Sequence, residues 1–392
     1  MKRLGIMTGT RFATKGSLFS FYMLQAVLLP YLPVYFGLQG YSSVQIGWLM
    51  NIGPFVAVFA QPVWGYLSDK YQSIKGIIGL LWALTILSSI GLFLAGNFAS
   101  AFLFVMLVYF FMYPSIPLLD SLIVKSIRGT GASYGSVRLW GSAGFMTSAL
   151  LSGYALTLAG GIDRIGYVFW TLWVIPFVCL IFLRDEKKDG ASAAIRLRDF
   201  GILFRNRMLV WFLILVLMLA IPHRINDVML TLHLAELGAS DSVLGVAWAV
   251  AALGELIAFA LFGKYLRRYH ELAVIGFAAV LYTIRWLATV WIEDPAIVAA
   301  LQFSHLITFA LFWMAAIQYI VRIVPPELSS TGQSLISAVF LGLAGLLGGV
   351  LGGWFRQEWG GDGMFYFCSA LSLFAAILIL GTRQYRRLRG QD

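Results

Sequence analysis

Ser100–Lys125 (SAFLFVMLVYFFMYPSIPLLDSLIVK) and Tyr134–Gly160 (YGSVRLWGSAGFMTSALLSGYALTLAG) flank the short polar break Ser126–Ser133. As helices, both runs are long enough to cross a hydrocarbon layer roughly 30 Å thick. Joined by so short a break, they run antiparallel. Asp120 in the first and Arg138 in the second then lie about nine residues from the turn, roughly 13 Å at the helical rise. Opposite charges meet at one depth, near the middle of the layer. An ionisable side chain there is costly unless it is paired or wet. The pair is either a structural lock between two helices or a site for a solute or a proton. The second reading is carried forward.

The same alternation of apolar run and short polar break fills the chain. Its 392 residues are 60% hydrophobic and 12% charged, with mean hydropathy +0.84. That is more apolar surface than a soluble protein of this length hides. A membrane sheet must close into a barrel of alternating strands, and these runs do not alternate. The expectation is an all-α membrane protein of twelve spans, near 17–37, 44–67, 76–95, 99–124, 134–159, 165–183, 208–235, 242–263, 271–291, 295–321, 329–355 and 363–382. The longest polar stretch, RDEKKDGASAAIRLRDFGILFRNR (Arg184–Arg207), falls after the sixth. It divides the chain into an N-terminal six-helix bundle (1–183), a cytoplasmic linker (184–207) and a C-terminal six-helix bundle with a short basic tail (208–392). Two groups of six fit an internally duplicated transporter with its site near the bilayer midplane.

The net charge of +10 would point to nucleic acid in a soluble chain. Here 23 of the 28 Lys and Arg fall in the termini and the even-numbered loops, against only Arg164 and Arg356 in the odd ones. That asymmetry places both termini in the cytoplasm of a multi-pass cell-membrane protein, the inner membrane in a cell with two. It accounts for the basic residues by orientation, so the lipid bilayer is the expected partner and nucleic acid is not. The basic N-terminus reads as a cytoplasmic tail rather than a removed signal. Cys179 and Cys368 lie in apolar runs and imply neither a disulfide framework nor a metal site.

Three arginines remain inside spans: Arg138, Arg224 and Arg285. Asp120, Asp227, Glu255, His223, His233 and His305 join them. Such a set belongs in a shared interior rather than in lipid. Polar chemistry on both halves is what a solute gripped by both requires. Candidate solute-binding residues are Asp120, Arg138, Phe145, Glu255, Gln25 and Asn226. A carboxylate exchanges a proton and an arginine does not. A solute competing for the arginine therefore changes the carboxylate's hold on its proton. Candidates for that coupling are Glu255, Arg285, His305 and Asp120. Phe145, seven residues beyond Arg138, shares its face and either stacks on a ring of the solute or makes a core contact. Pro222–Asp227 (PHRIND) reads as a broken helix lining a cavity, or as the wet edge of a seventh span that starts late. Asp69, Lys70 and Gly65 in the second loop and its approach read as a gate, with the glycine allowing close helix approach. The glycines of the eleventh span read as helix packing. No nucleophile triad, metal cluster or phosphate loop is legible, so no enzyme activity, cofactor or metal is expected.

GYLSDKY (Gly65–Tyr71) resembles the signature loop of the major facilitator superfamily in shortened form, with Gln72 where that family has its second glycine. LPYLPVYF (Leu29–Phe36), QPVWGYLSDK (Gln61–Lys70), VRLWGSAGF (Val137–Phe145) and LGEL (Leu253–Leu256) carry a resemblance to the branch of lactose and phenylpropionate permeases over nearly the whole chain. The resemblance implies that Asp120 and Arg138 match a sugar-binding acid–arginine pair, with Asp in place of Glu. It also implies that Glu255, Arg285 and His305 match further sugar and proton residues, and that Phe145 replaces a stacking tryptophan. Thr308 stands where the branch has its main proton-carrying glutamate. Gln302 and, approximately, Leu341 stand in place of two lysines. The expected function is secondary active transport, a proton-coupled symport of a small polar organic solute (a sugar, nucleoside or aromatic acid) by alternating access, in a monomer. A drug/proton antiporter of the same fold is the nearest alternative, and an integral membrane enzyme or sensor a remote one.

Overall fold

The computed structural model describes residues 2–127, 134–183, 203, 205–262, 266–325 and 328–390, with the side chains of 2–11, 58, 124–127, 134–136, 267 and 329–330 excepted. The polar break at 128–133 and nearly all of the expected linker lie outside the described residues.

The described residues are almost entirely helical, with no strand among them. The helices are α1 (Lys2–Leu38), α2 (Ser43–Tyr71), α3 (Ile74–Phe93), α4 (Phe98–Met112), α5 (Ser115–Ile127), α6 (Tyr134–Ala159), α7 (Ile165–Leu172), α8 (Val174–Phe182), α9 (Arg207–Glu236), α10 (Asp241–Phe262), α11 (Glu271–Trp291), α12 (Pro295–Leu301), α13 (Phe309–Ile323), α14 (Ser329–Ser337) and α15 (Ala344–Leu388). Ten stretches among the described residues are long and apolar enough to cross a membrane. The last, Thr331–Leu388, holds two of the expected spans. At Gly360 the backbone leaves the helix (φ 72°, ψ −175°), a conformation essentially confined to glycine. With the 26 residues of α6, each of the twelve expected spans has a helical counterpart among the described residues.

Side chains set where the spans begin. Asn97 accepts from Ser100 N–H, Asn206 from Met208 and Leu209, and Asp294 from Ala296 and Ile297 ahead of Pro295. Each cap satisfies N–H groups that a helix leaves orphaned at its start. At the other end of the sixth span, Lys75 Nζ donates to the carbonyls of Ile181 (2.9 Å) and Leu183 (2.7 Å). A cation there completes the helix's unsatisfied C-terminal carbonyls.

The expectation for Pro222–Asp227 is corrected. The seventh span is neither broken at Pro222 nor late in starting. α9 runs unbroken for 30 residues, and Pro222 lies at its middle. A single proline removes one backbone hydrogen bond, a loss that neighbouring groups in a membrane helix absorb. The tenth span is interrupted, as are the fourth, between α4 and α5, and the sixth, between α7 and α8. Between α12 and α13 the chain passes through a 3₁₀ turn, Gln302–Leu306. Gln302, Ser304, His305 and Thr308 cluster there without a proline or glycine. Irregular backbone at membrane depth survives only where protein buries it or it lines water.

The chain forms two compact units. Unit 1 comprises 1–41, 52–192 and 240–249. Unit 2 comprises 42–51, 193–239 and 250–392. Glycine allows the closest approaches within each. In unit 1, Gly153 packs on the backbone of Asp241 and Ser242, and Gly245 on the carbonyl of Ala149. In unit 2, Gly353 packs on Ser43 and Val44, and Gly349 on Gly47 and Asn51. A glycine-lined contact of this kind occurs in each unit.

A Cβ on Gly349 would sit 2.5 Å from the Gly47 carbonyl oxygen and overlap the Asn51 amide. Gly349→Ala is expected to cost about 1–3 kcal/mol through overpacking, read as a fall of several degrees in the melting temperature of the detergent-solubilised protein. Gly342→Ala, where no atom lies within 4 Å of the added carbon, is expected to leave it unchanged.

Candidate functional site

In unit 1 the charged pair stands on α5 and α6, with α1 alongside. Arg138 Nε lies 3.7 Å from Asp120 Oδ1, and the two side chains are 31% and 34% exposed. At that separation the pair is a loose ion contact rather than a hydrogen bond. A hydroxyl or carboxyl group of a solute can enter it. The strong contact is with α1: Arg138 Nη2 donates to the Tyr22 hydroxyl at 2.5 Å, and the guanidinium lies 4.4 Å from the Tyr22 ring centroid. Gly141, one turn from Arg138, provides the room. A Cβ there would lie 2.7 Å from Arg138 Nη1 and 2.8 Å from the Tyr22 ring. Gln25, three residues beyond Tyr22 on α1, is half-buried. Phe145 packs against Trp248 with ring centroids 6.3 Å apart, over the small residues Ala26, Ala149 and Ala249. Trp248 Nε1 is buried with no hydrogen-bond partner, which leaves a donor beside the phenylalanine.

Tyr22 escaped the sequence reading, because one tyrosine in an apolar run is ordinary at a membrane interface. Its hydroxyl holds the guanidinium in place. Tyr22→Phe keeps the ring beneath the cation and removes that bond. It is expected to weaken solute binding about ten-fold, the worth of one charge-assisted hydrogen bond. Titration of the solute into purified wild type and variant measures this.

Unit 2 gathers a denser set. Glu255 on α10 lies 4.0 Å from His305 Nδ1 and is 31% exposed. Arg285 on α11 is buried. It donates to Thr308 Oγ1 at 3.2 Å and to Gln302 Oε1, and its guanidinium lies 4.7 Å from the Trp286 ring centroid. On α9, Arg224 Nη1 pairs with Asp227 Oδ2 at 2.6 Å, and His223 Nε2 lies 3.7 Å from Asp227 Oδ1. His223 Nδ1 shares a 3.0 Å hydrogen bond with the Tyr282 hydroxyl, and Phe309 stacks on the His223 imidazole at 4.6 Å. Asn226 is buried, and its Oδ1 has no hydrogen-bond partner. The buried Gly348 lets Arg224 lie along α15, 3.1 Å from where a Cβ would stand.

The structure thus brings together Glu255, His305, Arg285 and Asp227 in one unit, and Asp120 and Arg138 in the other. It adds Tyr22 and Tyr282, single tyrosines in largely apolar runs, and Gln302, which the sequence marked only as standing in place of a lysine. Gln302 accepts from Arg285 on the turn that interrupts the tenth span. Of the three gating candidates, Lys70 is exposed with its ammonium 5.7 Å from the Tyr71 ring, and Asp69 is half-buried. Gly65 faces open space, with nothing within 4 Å of an added Cβ. Close helix approach is therefore not the reason for that glycine among the described residues.

Comparison with known proteins agrees with this architecture. The chain is 27% identical over 372 residues to the maltose permease of Geobacillus stearothermophilus, covering 93% of this chain and 92% of the relative. It is 26% identical over 384 residues to a probable 3-phenylpropionic acid transporter of Escherichia coli (strain K12), covering 95% and 98%. The crystal structure of the nucleoside transporter NupG superposes with a TM-score of 0.84 at 18% identity, covering 95% of this chain and 98% of that one. This last likeness is one of fold. The model of the MFS_1 like family matches residues 12–367. With its apolar spans and this match, the chain is a multi-pass membrane transporter, and it belongs to the MFS_1 like family of the major facilitator superfamily.

Proposed function

We propose that this transporter is a proton-coupled symporter that imports a small polar organic solute by alternating access. The observation that carries the reading is the polar set inside apolar spans. One loose acid–arginine pair is backed by a tyrosine in unit 1. A carboxyl–histidine–arginine group lies in unit 2. A cavity for lipophilic compounds needs no such set, and holding it at membrane depth is costly without a use for it.

In this reading Asp120, Arg138 and Tyr22 hold the solute, with Gln25 beside them and Phe145 supplying an apolar face. Glu255, Asn226 and Arg285 contribute from unit 2. Glu255 carries the proton, with His305 and Asp120 as partners. The transported class is a sugar, a nucleoside or an aromatic acid, the classes named for its relatives and its structural neighbour. The two functional halves are 1–183 and 208–392, joined by a cytoplasmic linker at 184–207. Asp69, Lys70 and Gly65 gate the cytoplasmic side. The protein works as a monomer in the cell's inner membrane with both termini in the cytoplasm.

The test is a thermal-shift screen of sugars, nucleosides and aromatic acids on purified protein, since a ligand that binds the folded state raises its melting temperature. A compound that stabilises the wild type and not Arg138→Ala supports the reading. A hit indifferent to both Arg138→Ala and Glu255→Gln contradicts it.

A further inference from the structure

His223, Asp227 and His305 in unit 2 each offer one ligand atom, and the three atoms lie within 4.8 Å of one another. The two histidines come from different elements, α9 and the turn between α12 and α13, and their rings stand 5.3 Å apart. Both are more than nine-tenths buried. Neither ring nitrogen of His305 has a hydrogen-bond partner. A buried imidazole without partners forfeits its hydration and gains nothing in return. His223 is arranged differently. Its Nδ1 is held by the Tyr282 hydroxyl, so Nε2 is turned toward Asp227. A metal-binding imidazole is characteristically oriented in this way, with one nitrogen fixed by a neighbour and the other free to ligate. Asp227 has the same division: Oδ2 is taken by Arg224, and Oδ1 faces the histidine. Glu255, 4.0 Å from His305 Nδ1, stands ready as a fourth oxygen.

We propose that His223, Asp227 and His305, completed by Glu255 or a water, bind a borderline divalent transition cation of the zinc class, and that the bound ion inhibits transport. Two imidazoles and a carboxylate suit zinc or cobalt, whereas magnesium and calcium demand oxygen. Around tetrahedral zinc the ligand atoms stand about 3.3 Å apart, from bonds of ~2.0 Å. The widest separation therefore closes by up to about 1.5 Å, and His305 gives up no hydrogen bond in moving. Arg224 and Arg285 oppose a cation, which makes the site weaker than a structural zinc centre and suits a reversible inhibitor. An ion there ties α9 to the turn in the tenth span and occupies groups that the proposed proton route uses. The inhibitory consequence rests on that reading, but the binding does not.

Cobalt titration into metal-stripped, tag-free purified protein tests it, with zinc as competitor. The chain has four histidines. His270 caps α11 through Nδ1, and His233 sits against Phe365. The expected result is one cobalt per chain with the strong visible bands of a four-coordinate nitrogen–oxygen site, bleached by zinc. His305→Gln or His223→Gln is expected to weaken binding about ten-fold or more, with His233→Ala unchanged. Equal melting temperatures establish that each variant folds; if one does not, the other alone decides. Absence of the bands, or binding unaltered by the folded His305 or His223 variant, overturns the proposal. Because no solute or transport enters this measurement, its failure is distinct from failure of the symport reading. Uptake that proceeds undiminished with cobalt bound would overturn the inhibitory role.

Discussion

Arg138→Ala is expected to reduce solute uptake by about 30-fold or more in cells or vesicles carrying equal amounts of protein. Arg138 offers a fixed fork of donors, and its hydrogen bond to Tyr22 at 2.5 Å keeps that fork aimed. Losing a charge-assisted hydrogen bond to a bound group costs about 2–3 kcal/mol, which is the stated factor. The variant also removes the cation 3.7 Å from Asp120. Arg138→Lys separates the two effects. A lysine keeps the charge beside Asp120 but cannot both stack on the Tyr22 ring and present two donors. Its expected uptake lies between wild type and alanine, with affinity lost more than stability. Uptake in Arg138→Ala equal to wild type would remove this arginine from the solute site.

Glu255→Gln is expected to abolish accumulation against a gradient while leaving solute exchange across the membrane intact. Glutamine keeps the shape and one hydrogen-bonding oxygen but never ionises, so it takes up and releases no proton. Of the groups proposed for coupling, Glu255 is a partly exposed carboxylate, 4.0 Å from a histidine whose ring nitrogens have no hydrogen-bond partner. Exchange needs only the loaded carrier to reorient, whereas net uphill uptake needs a proton bound and then lost. The measurement is preloaded exchange beside energy-driven uptake in the same vesicles. Loss of both together would make Glu255 a solute ligand or a structural residue rather than the proton carrier.

The outline of this protein was legible because the bilayer imposes it. Apolar run length gives the spans, and the distribution of Lys and Arg gives an expected orientation. The depth argument from the 126–133 break brought Asp120 and Arg138 together, and they lie 3.7 Å apart. What lay hidden is what depends on contacts between distant segments. Nothing in the run around Tyr22 marks it as the anchor of a guanidinium 116 residues away. In the seventh and tenth spans local propensity is overridden in opposite senses. Pro222 is a strong local signal, yet packing and length keep α9 whole. QFSHLIT contains no helix breaker, yet Gln302 and Thr308 turn to hold Arg285, and the span gives way there. In both cases tertiary demand outweighed local propensity. The cluster of His223, Asp227 and His305 was legible only in part: His223 and Asp227 stand four residues apart on α9, but His305 comes from an element far along the chain.

Solute-driven proton entry into proteoliposomes tests the central claim most directly. With a pH-sensitive dye outside and no imposed gradient, adding the stabilising solute is expected to make the medium more alkaline as solute and proton enter together. The signal should vanish in Glu255→Gln and in Arg138→Ala. Solute entry with no proton movement, or movement of protons outward, would contradict the account.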